Sequence, residues 1–213
     1  MSDSSGRLIT FEGGDGSGKS TQLRMTAAWL QELGHEVVVT HEPGDTALGA
    51  EIRSLLLEGE YIPVPECELL MFLADRAQHV HEVIIPSLNR GVWVLCDRFS
   101  DSTMAYQLAG RKLADLDGLN TMLKFAESGI SPDLTLWFDL PVDEALHRIR
   151  SRSSMGEEST RLDEEAQSFH ELVHTAFAEL HKVHERITRI DASETIEQVH
   201  VQVRAAFESR GMA

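Results

Sequence analysis

Positive charge is in short supply in this sequence: 19 Lys and Arg stand against 35 Asp and Glu, for a net charge of −16. Nucleic acid or an anionic membrane would be repelled unless the basic residues were gathered in one patch, and no run of Lys or Arg gathers them. Cysteine is scarce as well, since Cys67 and Cys96 are too few and too far apart for a disulfide framework. Cys96 lies beside the apolar run Val92-Trp93-Val94-Leu95 and reads as a small buried hydrophobe. No apolar stretch approaches membrane-spanning length, and Met1 to Arg7 is short and polar with no apolar signal region. A reduced cytoplasmic protein is the expectation. No repeat or linker divides the chain, and no Ser-His-Asp or paired-carboxylate arrangement is recognisable. What is present is 213 residues, 42% of them hydrophobic, enough for one sizeable core and one domain over 1–213.

Against that background, Gly13-Gly14-Asp15-Gly16-Ser17-Gly18-Lys19-Ser20 fits G-x-x-x-x-G-K-[ST] and follows the strand-like run Leu8-Ile9-Thr10-Phe11. Glycines let successive backbone N–H groups turn inward around phosphate, and Thr21 to Leu33 has the apolar spacing of a helix whose positive end faces the same cavity. Lys19 would reach the β- and γ-phosphates and Ser20 would hold Mg²⁺. Gly13 through Thr21 are therefore the candidate ATP-binding residues. A glycine-rich turn alone is the bland alternative, which the flanking strand and helix argue against. The loop points to a nucleotide but not to a reaction, because GTPases, ATPase motors, partition proteins and small-molecule kinases share it.

Apolar runs suited to buried parallel strands recur at Leu8 to Glu12, Glu36 to Thr40, Val92 to Asp97, Leu134 to Asp139 and Ile187 to Asp191. Segments of helical periodicity separate them, which predicts an α/β fold with a five-stranded parallel sheet and helices on both faces. Ligands of such sheets gather at the carboxyl ends of the strands, here Glu12, Thr40, Asp97 and Asp139, although turn formation would explain polar residues there equally well. Glu58 to Pro65 contains Gly59, Pro63 and Pro65 and reads as a surface loop. Ser151 to Thr160 is rich in Ser, Gly and Glu. With Arg148, Arg150, Arg152 and Arg161 around it, it predicts a mobile lid over about residues 151–161 that brings cations to phosphates. A solvated, charged helix end would have the same composition.

A competing pattern is His170-Glu171-Leu172-Val173-His174, which matches H-E-x-x-H and would place two imidazoles on one helix face, with Glu194 as a possible third zinc ligand. With ten His in the chain, so short a pattern arises far more easily by chance than the phosphate loop does. The expected strand from Ile187 to Asp191 also separates Glu194 from it. A solvated face shared with His181 and His184 is the reading preferred here.

Four further segments, with the phosphate loop, resemble thymidylate kinases, the nucleoside monophosphate kinases that phosphorylate dTMP. Thr40-His41-Glu42-Pro43-Gly44-Asp45-Thr46 is similar to the family's T-R-E-P-G-G-T, and Leu69-Leu70-Met71-Phe72-Leu73-Ala74-Asp75-Arg76-Ala77-Gln78 to its thymine-facing helix. Asp97-Arg98-Phe99 with Ser102-Thr103-Met104-Ala105-Tyr106-Gln107 resembles the D-R-[YFH] element and the helix after it, and Pro132-Asp133-Leu134-Thr135-Leu136 through Asp139 the strand before the lid. Phe72 and Arg76, four apart on a helix, share a face, so an aromatic ring can stack on a base while a guanidinium bonds its edge. A core Phe with a solvated Arg one turn on would give the same spacing.

The resemblance implies a P-loop kinase with a short lid, transferring the γ-phosphoryl group of ATP to dTMP with Mg²⁺, and it implies a homodimer. It assigns dTMP binding to Asp15, Phe72, Arg76, Arg98, Thr103, Tyr106 and Gln107, and catalysis to Lys19, Asp97, Arg98 and the lid arginines Arg152 and Arg161. Ser20 and Asp97 become the metal-binding candidates. Kinases of the same fold acting on another nucleotide or nucleoside, and a nucleotide-dependent switch or ATPase, are the competing readings. Three departures stand out: His41 replaces the usual Arg, Asp45 the second Gly, and Thr160-Arg161-Leu162-Asp163 the lid's D-R-hydrophobic-E. A neutral His cannot form the bidentate fork of an Arg.

Overall fold

The computed structural model describes residues 6–58, 61–113, 116–154 and 160–212. Five strands, β1 (Leu8–Glu12), β2 (Val37–His41), β3 (Trp93–Asp97), β4 (Leu134–Asp139) and β5 (Ile187–Asp191), form one parallel sheet in the order β2-β3-β1-β4-β5. The three central strands are the most apolar and the most buried, as strands covered on both faces must be. Edge strands β2 and β5 keep partly exposed positions.

Alternation along the strands sorts the core into two layers. Ile9, Phe11, Trp93, Leu95, Leu136 and Phe138 point to one face. There they meet helices α1 (Lys19–Glu32) and α9 (Ile196–Ser209), whose Trp29 and Phe207 cross edge to face. Leu8, Val94 and Cys96 point to the other face and meet Val80, Ile84 and Phe99, while Trp137 meets Phe177 of α8 (Gln167–Val183). The sheet is thus covered on both sides, and Cys96 is fully buried. Thr10 and Thr135, paired in register on β1 and β4, share a buried hydroxyl contact of 2.7 Å, so no polar group is orphaned by that placement.

The remaining helices are α2 (Ala47–Leu57), α3 (Pro65–His79), α4 (Ile85–Asn89), α5 (Ser100–Thr103), α6 (Leu116–Glu127) and α7 (Val142–Ser154). Pro65 starts α3, where a missing N–H costs nothing, and the described part of the expected 58–65 loop lies between α2 and α3 with Tyr61 and Ile62 exposed. Two π-helical turns depart from the simple helical periodicity of the sequence. Val80–Ile84 joins α3 to α4, and Met104–Gly110 continues α5.

The solvated histidine face expected on α8 needs correction. Phe169, Val173 and Phe177 form the buried stripe of that helix, and His170, next to Phe169, is carried into the interior with its Nε2 lacking a partner. His174 lies beside the stripe, with Nε2 2.6 Å from Asp139 Oδ1.

Candidate functional site

The turn from β1 into α1 builds the first half of the site. Gly13 has φ 134°, and a Cβ there would stand 2.6 Å from the Phe138 carbonyl oxygen, so a side chain is excluded twice over. Gly18 caps α1 with φ 86°, which starts the helix at Lys19, two residues before its expected start, and places Lys19 and Ser20 in the first turn. Lys19 is buried, and its Nζ donates to the carbonyls of Gly13 at 3.0 Å and Gly14 at 2.8 Å. Burial and the neighbouring Arg98 charge bring its ammonium down to about 8, against the pull of Asp15, Asp97 and Glu12. Ser17 also donates to the Gly14 carbonyl, at 2.8 Å. Asp15, Gly16, Gly18, Lys19, Ser20 and Thr21 line an open cavity that continues past His41 and Asp97 to Arg148 and Ser151 on α7.

A second pocket adjoins it. Phe72 and Arg76 of α3 form one wall and Thr103, Tyr106 and Gln107 the other, with Leu57, Thr160 and Leu162 among the remaining lining residues. The π-helical turn is what presents Tyr106 and Gln107 here. Arg76 is almost fully buried and held by its partners: Nε and Nη2 each donate to Glu42 Oε2 at 2.8 Å, and Nη1 donates to Thr103 Oγ1 at 2.9 Å. Glu42 Oε1 lies 2.7 Å from His79 Nδ1, and His79 Nε2 lies 2.6 Å from Thr40 Oγ1, whose hydroxyl donates to Asp45. The Asp45 that replaces a glycine of the resembled motif therefore anchors the outer end of a chain of polar contacts leading to Arg76.

Asp15 and Arg98 stand where the two cavities meet. Arg98 Nη2 donates to Asp15 Oδ1 at 2.6 Å, Arg98 Nη1 to the Gly13 carbonyl at 3.0 Å, and the Tyr106 hydroxyl to Asp15 Oδ2 at 3.2 Å. Burial pushes the Asp15 carboxyl up, but the Arg98 and Lys19 charges and the bonds from Arg98 and Tyr106 outweigh it and hold it well below the usual carboxylate range. The guanidinium also lies 4.9 Å from the Tyr106 ring centre. Arg98 has φ 72°, a left-handed conformation that costs a non-glycine residue about 1–2 kcal/mol. The turn is held on both sides, by Arg98 N–H to the Phe11 carbonyl at 3.0 Å and by the Cys96 thiol to the Arg98 carbonyl at 3.0 Å.

Ser20 and Asp97 fit a hard divalent cation. The Ser20 hydroxyl donates to Asp97 Oδ2 at 2.9 Å, while Asp97 Oδ1 is buried without a partner, so an oxygen-only donor set carries one unmet acceptor. Other expected residues lie elsewhere. The Arg161 guanidinium is bound to the buried Glu68, which also receives Arg111 Nε at 2.9 Å and Gln107 Nε2 at 3.1 Å, and it lines neither cavity. The Arg152 side chain and residues 155–159 of the expected 151–161 lid lie outside the described residues. His41 Nδ1 pairs with Asp45 Oδ1 at 3.5 Å, and burial pushes its imidazole pKa down.

Three side chains of the site escape sequence reasoning. Arg53 of α2 lines both cavities and donates to the Pro43 carbonyl at 2.8 Å. Arg148 of α7, expected only as a flank of the lid, lines the phosphate-loop cavity directly. Glu42 lay inside a quoted motif, yet only the structure gives it a task, as the carboxylate that fixes Arg76. Nothing in the spacing of Arg53 or Arg148 distinguishes them from ordinary helix-surface arginines.

A five-stranded parallel sheet with a glycine-rich loop between its central strand and first helix, and a second pocket joined to that loop by a shared arginine, define a P-loop kinase. A model of the thymidylate kinase family matches residues 11–203. A thymidylate kinase of Carboxydothermus hydrogenoformans is 44% identical over 203 residues, covering 95% of this chain and 97% of the relative. One of Desulfovibrio desulfuricans is 47% identical over 207 residues, with 95% of each chain covered. One of Gloeobacter violaceus is 44% identical over 202 residues, with 94% of each chain covered. The chain belongs to the thymidylate kinase family.

Proposed function

We propose that this protein transfers the γ-phosphoryl group of ATP to dTMP, giving dTDP and ADP. The observation that carries the reading is the pocket of Phe72, Arg76, Thr103, Tyr106 and Gln107 opening onto the phosphate loop through Asp15 and Arg98. Phe72 would stack on the thymine ring and Arg76, held flat by Glu42 and Thr103, would donate to a carbonyl at the base edge. Tyr106, hydrogen bonded to Asp15, would fill the space beside the 2′ position, where a ribose hydroxyl would clash, and Asp15 would lie near the 3′-hydroxyl. ATP phosphates would occupy the cavity of Gly16 to Thr21, where the amino end of α1 and Lys19 oppose their charge.

The reaction needs no dedicated base. The second pKa of a phosphate monoester is about 6, so an oxygen of the acceptor phosphate is already anionic at neutral pH. It attacks the γ-phosphorus, the bond from that phosphorus to the β–γ bridging oxygen breaks, and ADP leaves with the electron pair. The obstacle is bringing two anions together, which Lys19, Arg98 and Arg148 oppose by placing positive charge along their path. Ser20 and Asp97 would hold Mg²⁺, which when bound neutralises phosphate charge. The 151–161 lid with Arg152 as its cation belongs to the same proposal. So do a cytoplasmic location and a homodimer, the latter supported by the exposed Leu55, Leu70 and Phe125 on α3 and the two helices that pack on it, α2 and α6. Among the described residues no helix is long and apolar enough to cross a membrane.

A coupled ADP-release assay with dTMP, dUMP, dCMP, dGMP and thymidine tests the reading. Fast turnover with dTMP is expected. Slow dTMP turnover beside a brisk reaction with another acceptor would reassign the substrate, and strong ATP hydrolysis without any acceptor would favour a switch. Phe72→Ala removes the stacking surface and is expected to weaken dTMP about tenfold while the KM for ATP stays within about twofold. Calorimetry and initial rates check this, and an equal loss for both substrates would remove Phe72 from base recognition.

A further inference from the structure

The carboxyl of Glu12, at the end of β1, is fully buried yet lies outside the substrate-facing residues of either cavity. Both its oxygens are engaged by the segment after β3. Oε1 accepts from the Phe99 N–H at 2.8 Å, and Oε2 accepts from the Ser102 hydroxyl at 2.5 Å. Phe99 is the capping position of α5, where no side chain of the helix itself serves as a cap. Ser102 Oγ in turn accepts from Arg98 Nη1 at 3.1 Å. Glu12 therefore bonds both the residue that follows Arg98 and the hydroxyl that the Arg98 guanidinium itself bonds. Through Phe99 it fixes the backbone beside the left-handed Arg98, and through Ser102 it fixes the guanidinium.

We propose that Glu12 is a positioning residue for the acceptor phosphate, acting through Ser102 and the Phe99 amide to hold Arg98 in the strained conformation that aims its guanidinium at the junction of the two cavities. The claim rests on the dTMP kinase reading and adds a residue to it. Local chemistry supports it. Burial and the Asp101 charge push the Glu12 carboxyl pKa up, against the opposing pull of Ser102, Arg98 and Phe99, so the carboxyl carries a desolvation cost that its hydrogen bonds offset. With two short bonds aimed at one turn, the carboxyl has a geometric task that packing alone does not require. The alternative, that Glu12 merely closes the end of β1 against β3, predicts general loosening and no preference for phosphate.

Thymidine separates the two, since it offers the same base and sugar with no phosphate for Arg98. Calorimetric titration of dTMP and of thymidine into the wild-type protein and Glu12→Gln is the measurement. Gln keeps the side-chain volume, but its amide can accept from only one of the two donors. Affinity for dTMP is expected to fall about tenfold while that for thymidine stays within about twofold. Ser102→Ala, which breaks the link to the guanidinium, should reproduce the pattern and carries the test if Glu12→Gln fails to fold. Parallel loss of dTMP and thymidine affinity, or unchanged dTMP affinity in both variants, overturns the proposal. A wild-type protein that bound dTMP no better than thymidine would instead overturn the substrate reading.

Discussion

Lys19→Ala is expected to lower turnover by about 10³-fold while dTMP affinity stays within about threefold. The ammonium is buried at the base of the phosphate loop and, among the described residues, donates to the two carbonyls of Gly13 and Gly14, which ATP phosphate oxygens can outcompete for its protons. On the proposed assignment, charge developing on the transferred group would be met there by a donor already desolvated and in place. Alanine leaves the helix end but removes the charge, and the acceptor pocket does not contain Lys19 among its lining residues. Single-turnover kinetics together with dTMP calorimetry check the division. Retained turnover, or loss of dTMP binding equal to the loss of rate, would show that Lys19 has been given the wrong role.

Arg76→Ala should have the largest effect on stability, about 3–5 kcal/mol, and should also abolish measurable dTMP binding. Truncation strands the Glu42 carboxylate in the interior, where two of its hydrogen bonds came from Arg76. At about 2–4 °C per kcal/mol for a chain of this size, melting should fall by roughly 10 °C. Arg76→Met combined with Glu42→Gln removes both charges while keeping volume, and is expected to restore most of the stability without restoring dTMP binding. Scanning calorimetry with dTMP titration of both variants decides. If the double variant bound dTMP, Arg76 would be a structural residue only.

The central strands were legible because full burial on both faces writes itself as unbroken apolar runs, so β1 and β4 fall on the bounds read from sequence. The edge strand β2 is shifted by one residue from Glu36–Thr40 to Val37–His41 and β3 starts one residue later than expected, at Trp93, whereas the edge strand β5 falls on its expected bounds. The phosphate loop, and the four-residue spacing of Phe72 and Arg76, carry their geometry in local sequence. Arg161 did not follow that logic, because its partner Glu68 is 93 residues away in the chain and only tertiary folding brings them together. His170 looked like a surface residue for a similar reason: the aromatic stripe of α8 is wide enough to carry a neighbouring imidazole inward. The presentation of Tyr106 and Gln107 depends on a π-helical turn, to which a period of 3.6 is blind.

Asp15, Glu42, Arg53 and Arg98 belong to the walls of both cavities. On the proposed assignment one set of side chains would face two ligands, and the binding energies of those ligands would be coupled. If the acceptor phosphate draws Arg98 away from Asp15, the carboxylate loses its main counter-charge, and the donor nucleotide meets an altered field. Linkage then requires the donor to change acceptor affinity by the same factor that the acceptor changes donor affinity. On that assignment, how tightly each nucleotide binds beside the other would depend on how a single guanidinium divides its bonds.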